Sequence, residues 1–266
     1  MSVAMAGMLE FCGDVLQISL PEGDRESLRA VLAEHFPGAD TLISDREVQM
    51  PHLFVSDMDS TMIGQECIDE LADFAGLKEQ VSAITERAMQ GELDFESALR
   101  ERVGLLGGLD EGAITQCLDD RIRPTRGAKT LVSTLKAKGC RCVLVTGGFH
   151  HFADEVGATL GFDRVVGNRL AVEGGKLTGQ LDGPISDAST KLSVLLDEAG
   201  ALGHDVVTMA AGDGANDIPM IEAATYGIAF HAKPKARAAA DADIQSGTLT
   251  SVLKLLGIGE TDWAHA

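Results

Sequence analysis

Basic residues are scarce in this chain: 22 Lys and Arg stand against 41 Asp and Glu, a formal net charge of −19. That balance excludes a nucleic-acid or anionic-membrane partner, either of which requires a basic face. Any phosphate ligand must then be held by local groups that outweigh a repulsive overall field. Aromatic residues make up only 4%, with a single Trp and a single Tyr, so the core must come from Leu, Val, Ile and Ala within a 45% hydrophobic fraction. Long apolar runs are missing as well, and no stretch reaches the ~18 residues of a membrane span. The N-terminus lacks the basic segment and following apolar run of a secretory signal, so a cytoplasmic location is expected. Five cysteines (Cys12, Cys67, Cys117, Cys140 and Cys142) are scattered. Cys140 and Cys142 form C-x-C without a second pair, which indicates neither a zinc knuckle nor a disulfide framework, and reduced structural thiols are expected. No G-x-G-x-x-G opens a helix after a strand, which disfavours a dinucleotide oxidoreductase.

What is present is organised around one stretch. With 266 residues, the chain has room for one large domain or a core with a smaller companion. Leu53 to Val55 is too compact for a helix of its own and reads as a buried strand. It runs into Asp57-Met58-Asp59-Ser60-Thr61 and then Gly64. Carboxylates at the C-terminal end of a buried parallel strand point into the crevice where open α/β sheets bind ligands. Two so close repel unless a cation, a shared proton or a reaction calls for them. In isolation, the same residues also suit an ordinary Asp-rich turn.

Residues 1–50 read as a small αβ appendage. Val15 to Leu20 alternates as a strand, Pro21-Glu22-Gly23 turns, Asp24 caps a helix carrying Leu28, Val31 and Leu32, and Thr41 to Ser44 is a further strand candidate. Residues 67–123 read as a helical block. Apolar positions at helical spacing run through Ile68, Leu71 and Phe74, then Val81, Ile84 and Ala88, then Phe95, Leu99 and Val103, with Gly76, Gly91 and Gly107-Gly108 as stops and a fourth helix from Glu111 to Leu118. Residues 51–66 and 124–266 form the core, in which strands and helices alternate. Helices are predicted over Lys129 to Lys138, from Phe149 to Leu160, over Ala188 to Ala199, over Asp217 to Ala224 and over Leu249 to Leu256. Strands are predicted over Cys142 to Val145, Val206 to Ala210 and Gly227 to Phe230. Leu170 to Leu181 looks like a surface hairpin turning on Gly174-Gly175. This alternation specifies an α/β fold with a doubly wound, Rossmann-like parallel sheet.

Four strand ends or helix starts carry reactive groups. After Asp57 and Asp59 comes Thr146-Gly147-Gly148, a hydroxyl and exposed amides ahead of a helix, a generic oxyanion cradle. Lys191 stands near the start of its helix; alone it would be an ordinary solvated lysine. Gly212-Asp213-Gly214-Ala215-Asn216-Asp217 places two further acids around a turn that glycines allow close to a ligand. Together these groups describe a site for a hard cation and a phosphoryl group. Magnesium, which prefers oxygen ligands, would relieve the repulsion among Asp57, Asp213 and Asp217.

In this order the four segments resemble the four motifs of the haloacid dehalogenase (HAD) superfamily, and the helical block after the first resembles its C1-type cap. Glu66-Cys67-Ile68-Asp69-Glu70, Thr85-Glu86-Arg87-Ala88-Met89, Gly91-Glu92-Leu93-Asp94-Phe95, Leu99-Arg100-Glu101-Arg102-Val103 and His231-Ala232-Lys233-Pro234-Lys235 look like the phosphoserine phosphatase family within it. The resemblance covers about residues 51–257. It implies an Mg²⁺-dependent phosphatase that releases serine and phosphate from O-phosphoserine, the last step of serine biosynthesis. Asp57 would be the nucleophile and Asp59 the general acid and base. The cation would be held by Asp57, the Asp59 carbonyl and Asp213, with Asp217 in support. Thr146, Gly147, Lys191 and Asn216 would serve the phosphoryl group. Glu66 would take the substrate ammonium and Arg102 its carboxylate, with Met89 and Phe95 walling the pocket. Thr146 replaces a more usual serine, and His150-His151 replace uncharged residues. Residues 1–50 are too short for the paired regulatory domains of some relatives.

The alternatives are another small phosphomonoester, or phosphoryl transfer to an alcohol such as homoserine. A receiver-type signalling domain would lack an acid two residues past its aspartate and would not need the helical block. A non-catalytic phosphoserine-binding module would not need every reactive position filled. A small-molecule substrate is the expected partner, and the sequence leaves a homodimer open.

Overall fold

The structure, a computed structural model, describes residues 9–12, 15–20, 23–89 and 92–264, without the side chains of 9–12 and 89. The expected reduced thiol of Cys12, the turn at Pro21-Glu22, the stop at Gly91 and the Met89 side chain lie outside the described parts. The chain opens with a hairpin, β1 (Leu9–Cys12) and β2 (Val15–Ile18), then α1 (Arg25–His35). Asp24 caps α1 as its spacing predicts, accepting from the Ser27 amide at 2.8 Å. Next come β3 (Thr41–Leu42) and β4 (Leu53–Ser56), followed by α2 (Cys67–Phe74), α3 (Lys78–Met89), α4 (Phe95–Leu105) and α5 (Gly112–Arg121). The remainder is α6 (Ala128–Ala137), β5 (Arg141–Phe149), α7 (His150–Leu160), β6 (Arg164–Glu173), β7 (Lys176–Asp182), α8 (Ala188–Leu202), β8 (Thr208–Gly212), α9 (Ile218–Ala223), β9 (Tyr226–Phe230), α10 (Pro234–Ala239), β10 (Ala242–Ile244) and α11 (Thr250–Leu255).

Eight of these strands form one sheet in the order β3-β10-β9-β8-β4-β5-β6-β7. From β10 to β6 every neighbouring pair is parallel, and only the edge strands β3 and β7 run antiparallel. The strand order reverses beside β4, which has β8 on one side and β5 on the other. A crevice opens beyond the strand ends at such a switch point. The pleat explains why β4 reads as an unbroken apolar run. Leu53 and Val55 join Val143, Val145 and Ala210 on one face, under Val194 and Leu195 of α8. Phe54 faces the other way into the larger cluster with Leu144, Leu131, Phe152 and Leu253. A strand covered on both faces has no polar side to show.

The structure adds to or revises the sequence expectations in three places. Leu170 to Leu181 forms the expected hairpin turning on Gly174-Gly175, but its first strand begins earlier: Arg164–Val166 at the start of β6 pairs in parallel with Val143–Val145, so β6 and β7 extend the main sheet. That short entry is half-exposed at a sheet margin, where hydrophobic patterning is weak. The strand ending at Val145 continues to Phe149 through a register shift, and α7 begins at His150. Strand β10, three residues long, was not expected from the sequence; at that length periodicity carries no signal. Among the described residues no helix is long and apolar enough to cross a membrane.

Phe54 is fully buried, and truncating a buried Phe costs ~3–5 kcal/mol. The Phe54→Ala variant is therefore expected to unfold at markedly lower urea, with its m-value unchanged, in an equilibrium denaturation series.

Candidate active site

Strand β4 delivers Asp57 as soon as its pairing ends. The Asp57 amide still donates to Ala211 of β8 at 2.9 Å, so the residue is anchored to the central strands. Its Oδ1 accepts from the Met58 amide at 2.7 Å and lies 2.7 Å from Lys191 Nζ, which fixes the plane of the carboxylate. The chain then turns tightly through Met58–Met62, with Ser60 in the left-handed region at φ 54°. That bend is tied down by Ser60 N–H to Gln65 O (3.1 Å) and Ser60 Oγ to Glu66 Oε1 (2.7 Å).

Lys191 is completely buried in the first turns of α8 and spans two acids: 2.7 Å to Asp57 Oδ1 and 2.7 Å to Asp217 Oδ1. Asp217 Oδ2 accepts from the amides of Gly214 (3.0 Å) and Asp213 (3.2 Å). Gly212 makes this arrangement possible. A Cβ there would lie 2.3 Å from the Asp217 carboxyl carbon, so no side chain fits where β8 ends. Oxygens of Asp57, Asp213 and Asp217 all lie within 4.8 Å of one another. Three hard anionic donors at that spacing fit a hard divalent cation.

Burial, then the Asp217 charge, push the Asp57 carboxyl upward, while Lys191 pulls it down. Burial works against a charged Lys191 too, but Asp57 and Asp217 together outweigh it and hold the ammonium protonated. A cation in the cluster would act on Asp57 in the same sense as Lys191. Asp59 is different. Burial, then Glu66, raise it to about 7, and the nearby Cys67 thiol and amide only partly offset this. Its Oδ1 is buried without a hydrogen-bond partner. Asp59 is thus a carboxyl poised to hold a proton near neutral pH.

The cradle sits on β5. Thr146 Oγ1 accepts from the Gly148 amide at 2.9 Å, and Asn168 Nδ2 donates to Gly147 O at 2.7 Å. Asn168 is itself held by the Ser186 amide at 2.8 Å. Gly148 permits close approach, since a Cβ there would come within 3.0 Å of Asp59 Oδ2.

One cleft collects most of the expected residues. Asp57, Asp59, Thr146, Gly147, Asp213 and Asn216 line it from the sheet, and Glu66, Phe95 and Arg102 from the helical side. Lys191 and Asp217 are fully buried among its acids. Glu66 is solvent-accessible, yet the surrounding protein of the concave cleft raises its carboxyl by burial, against the Ser60 hydrogen bond. Arg102 is half-buried, its pKa lowered by that burial, and Nε donates to Ala98 O at 3.3 Å. Among the described residues it forms no ion pair, although the charges of Asp69 and Glu66 act on it. The sequence reasoning did not assign roles to Asn168, Gly148, Ile68, Leu99, Phe149 or Lys233. For Asn168 the one available signal was an amide just after Val165-Val166-Gly167.

A haloacid dehalogenase-like hydrolase model matches residues 54–222, and a second model of the same description matches 200–256. The chain belongs to this family. It is 44% identical over 209 residues to phosphoserine phosphatase of Albidiferax ferrireducens, covering 76% of this chain and 88% of that one. Phosphoserine phosphatase of Saccharomyces cerevisiae is 39% identical over 253 residues, covering 94% and 80%. Among solved structures, a phospho-aspartyl intermediate analogue of phosphoserine phosphatase superposes with a TM-score of 0.71 at 40% identity, covering 77% of this chain and 99% of that one. The family's fold accounts for the parallel-dominated sheet and the acids at its switch point.

Asp59 generates a prediction about stability. The unfolded carboxyl titrates near 3.8 and the folded one near 7, so the folded state binds the proton more tightly. Its contribution is full below pH ~3.8, falls as the pH rises through that window, and is flat above it. Asp59→Asn removes this slope. The variant is expected to be more stable than the wild type at pH 8, with a difference that shrinks towards pH 4, in denaturant titrations at each pH.

Proposed function

We infer that the chain hydrolyses O-phosphoserine to serine and inorganic phosphate, with Asp57 as the phosphorylated residue. The observation that carries this reading is a single cleft lined by Asp57, Glu66 and Arg102, with Lys191 buried beneath it and bridging Asp57 to Asp217. Phosphoserine offers one group to each: a phosphate, an ammonium and a carboxylate.

An Asp57 oxygen attacks phosphorus, and the bond from phosphorus to the serine oxygen breaks as the bond to Asp57 forms. Lys191, the Thr146 hydroxyl and the Gly147 amide offset charge on the phosphoryl oxygens, while Asn216 helps orient them. Asp59 delivers its proton to the departing serine oxygen, then takes one from the water that releases phosphate from Asp57. Asp57, Asp213 and the Asp59 carbonyl would hold Mg²⁺, with Asp217 in support; when bound, the ion supplies charge compensation for the transferring phosphoryl group. Helices α2–α5 act as a cap that selects the substrate. Glu66 receives the ammonium, Arg102 grips the carboxylate with its planar fork, and Phe95 walls off water. Buried, unpaired Cys67, Cys117, Cys140 and Cys142 suit a reducing cytoplasm.

Phosphate release from a panel of phosphomonoesters, with Mg²⁺ or with a chelator, tests this reading. Phosphoserine is expected to be preferred, the chelator to abolish turnover, and Asp57→Asn to be inactive; turnover by that variant would remove Asp57 from its role. Arg102→Ala should raise KM for phosphoserine roughly ten- to hundredfold, the scale of a lost charged hydrogen bond, while sparing an aryl phosphate. Equal losses on both substrates would take Arg102 out of substrate selection.

A further inference from the structure

Two lysines balance the acid cluster, and they are held very differently. Lys191 is completely buried and locked by 2.7 Å contacts to Asp57 and Asp217. The third acid, Asp213, has its own lysine: Lys233 Nζ lies 3.5 Å from Asp213 Oδ2, with the Lys233 side chain 68% exposed and that of Asp213 12% exposed. The backbone around Lys233 is built to keep it there. Lys233 N–H donates to Asp213 O at 2.9 Å, and Pro234 starts α10 directly after it. Upstream, His231 is in a left-handed conformation at φ 44°, with its ring stacked on Phe230 and its Nε2 2.9 Å from Gly247 O. The backbone is anchored by these contacts, while the Lys233 side chain is mostly open to solvent.

We propose that Lys233 is a tethered counter-ion that competes with the divalent cation for Asp213 and so sets how tightly the cluster binds metal before substrate arrives. The proposal rests on the reading of Asp57, Asp213 and Asp217 as a metal site. Three carboxylates with Lys191 leave two negative charges, which a divalent ion cancels. Lys233 is then surplus at Asp213 and is repelled by the ion. Lys191 cannot yield, because withdrawing it would strand two buried carboxylates. Lys233 can, since an exposed ion pair is worth little and its ammonium regains water on leaving. Lys233 also lines the cleft, and its charge lowers the Glu66 carboxyl. A freed ammonium therefore has a second acid within its field, at the mouth where the substrate enters.

Titration of the substrate-free full-length protein with Mg²⁺ by isothermal calorimetry tests the proposal. Lys233→Met should bind Mg²⁺ roughly three- to tenfold more tightly than the wild type, the effect expected for one partly screened charge, and Lys233→Arg should stay within about twofold. Unchanged or weaker binding by Lys233→Met overturns the proposal. So does an unchanged Mg²⁺ affinity accompanied by a raised KM, which would make Lys233 a substrate ligand instead. Asp213→Asn separates the two levels of inference: if it binds Mg²⁺ as the wild type does, the metal-site reading itself fails. Lys233 is exposed, so the denaturation midpoints of Lys233→Met and Lys233→Arg should match the wild type and confirm that affinity alone has changed.

Discussion

The buried ammonium of Lys191, suspended between Asp57 and Asp217, is the interaction on which the site depends. It joins the end of β4, the first turns of α8 and the turn before α9, three pieces far apart in the chain. Removing one partner from such a buried arrangement costs ~3–5 kcal/mol, because the remaining charges have no water to turn to. Every neighbouring choice supports the contact. Gly212 leaves room for the Asp217 carboxylate, and the amides of Asp213 and Gly214 occupy its other oxygen. Asp57 in turn is gripped by its own neighbour's amide.

This contact also separates the roles of two carboxylates that lie two residues apart. Both Asp57 and Asp59 are raised by burial, but only Asp57 touches an ammonium, which pulls its carboxyl back down; burial and then Glu66 raise Asp59 to about 7. Two acids so near each other thus sit in different electrostatic surroundings, as the proposed division into nucleophile and proton carrier requires. The acidity of the whole chain gives the few local cations their importance. In a molecule of net charge −19, the proposed phosphate site relies on Lys191, Arg102 and Lys233 to outweigh the surrounding field.

The position of the site follows from the sheet. Parallel strands with helices on both faces leave their C-terminal ends open, and the reversal of strand order at β4 widens that opening. Helices α2–α5, inserted just after the tight turn at Met58–Met62, add Glu66, Phe95 and Arg102 to the same cleft. The cradle on β5 is pinned from β6 by Asn168, so the phosphoryl-facing backbone depends on a strand whose first residues give no clear apolar pattern.

Leu53 to Ser56, the apolar faces of the helical block and the acids at strand ends could be read directly from the chain. Each is a local pattern, expressed in the spacing of neighbours and in the chemical type of a few residues. Asp57, Asp59, Lys191 and Asp213 were recognisable for the same reason. The partnership of Lys191 with both Asp57 and Asp217, the grip of Asn168 on Gly147, the place of β6 and β7 in the main sheet and the contact of Lys233 with Asp213 were not. These depend on distances across strands and turns separated by tens of residues, and on which groups lose their water. Sequence determines which groups are available; only the packed sheet decides which of them share a dry, crowded space and so acquire altered charge and function.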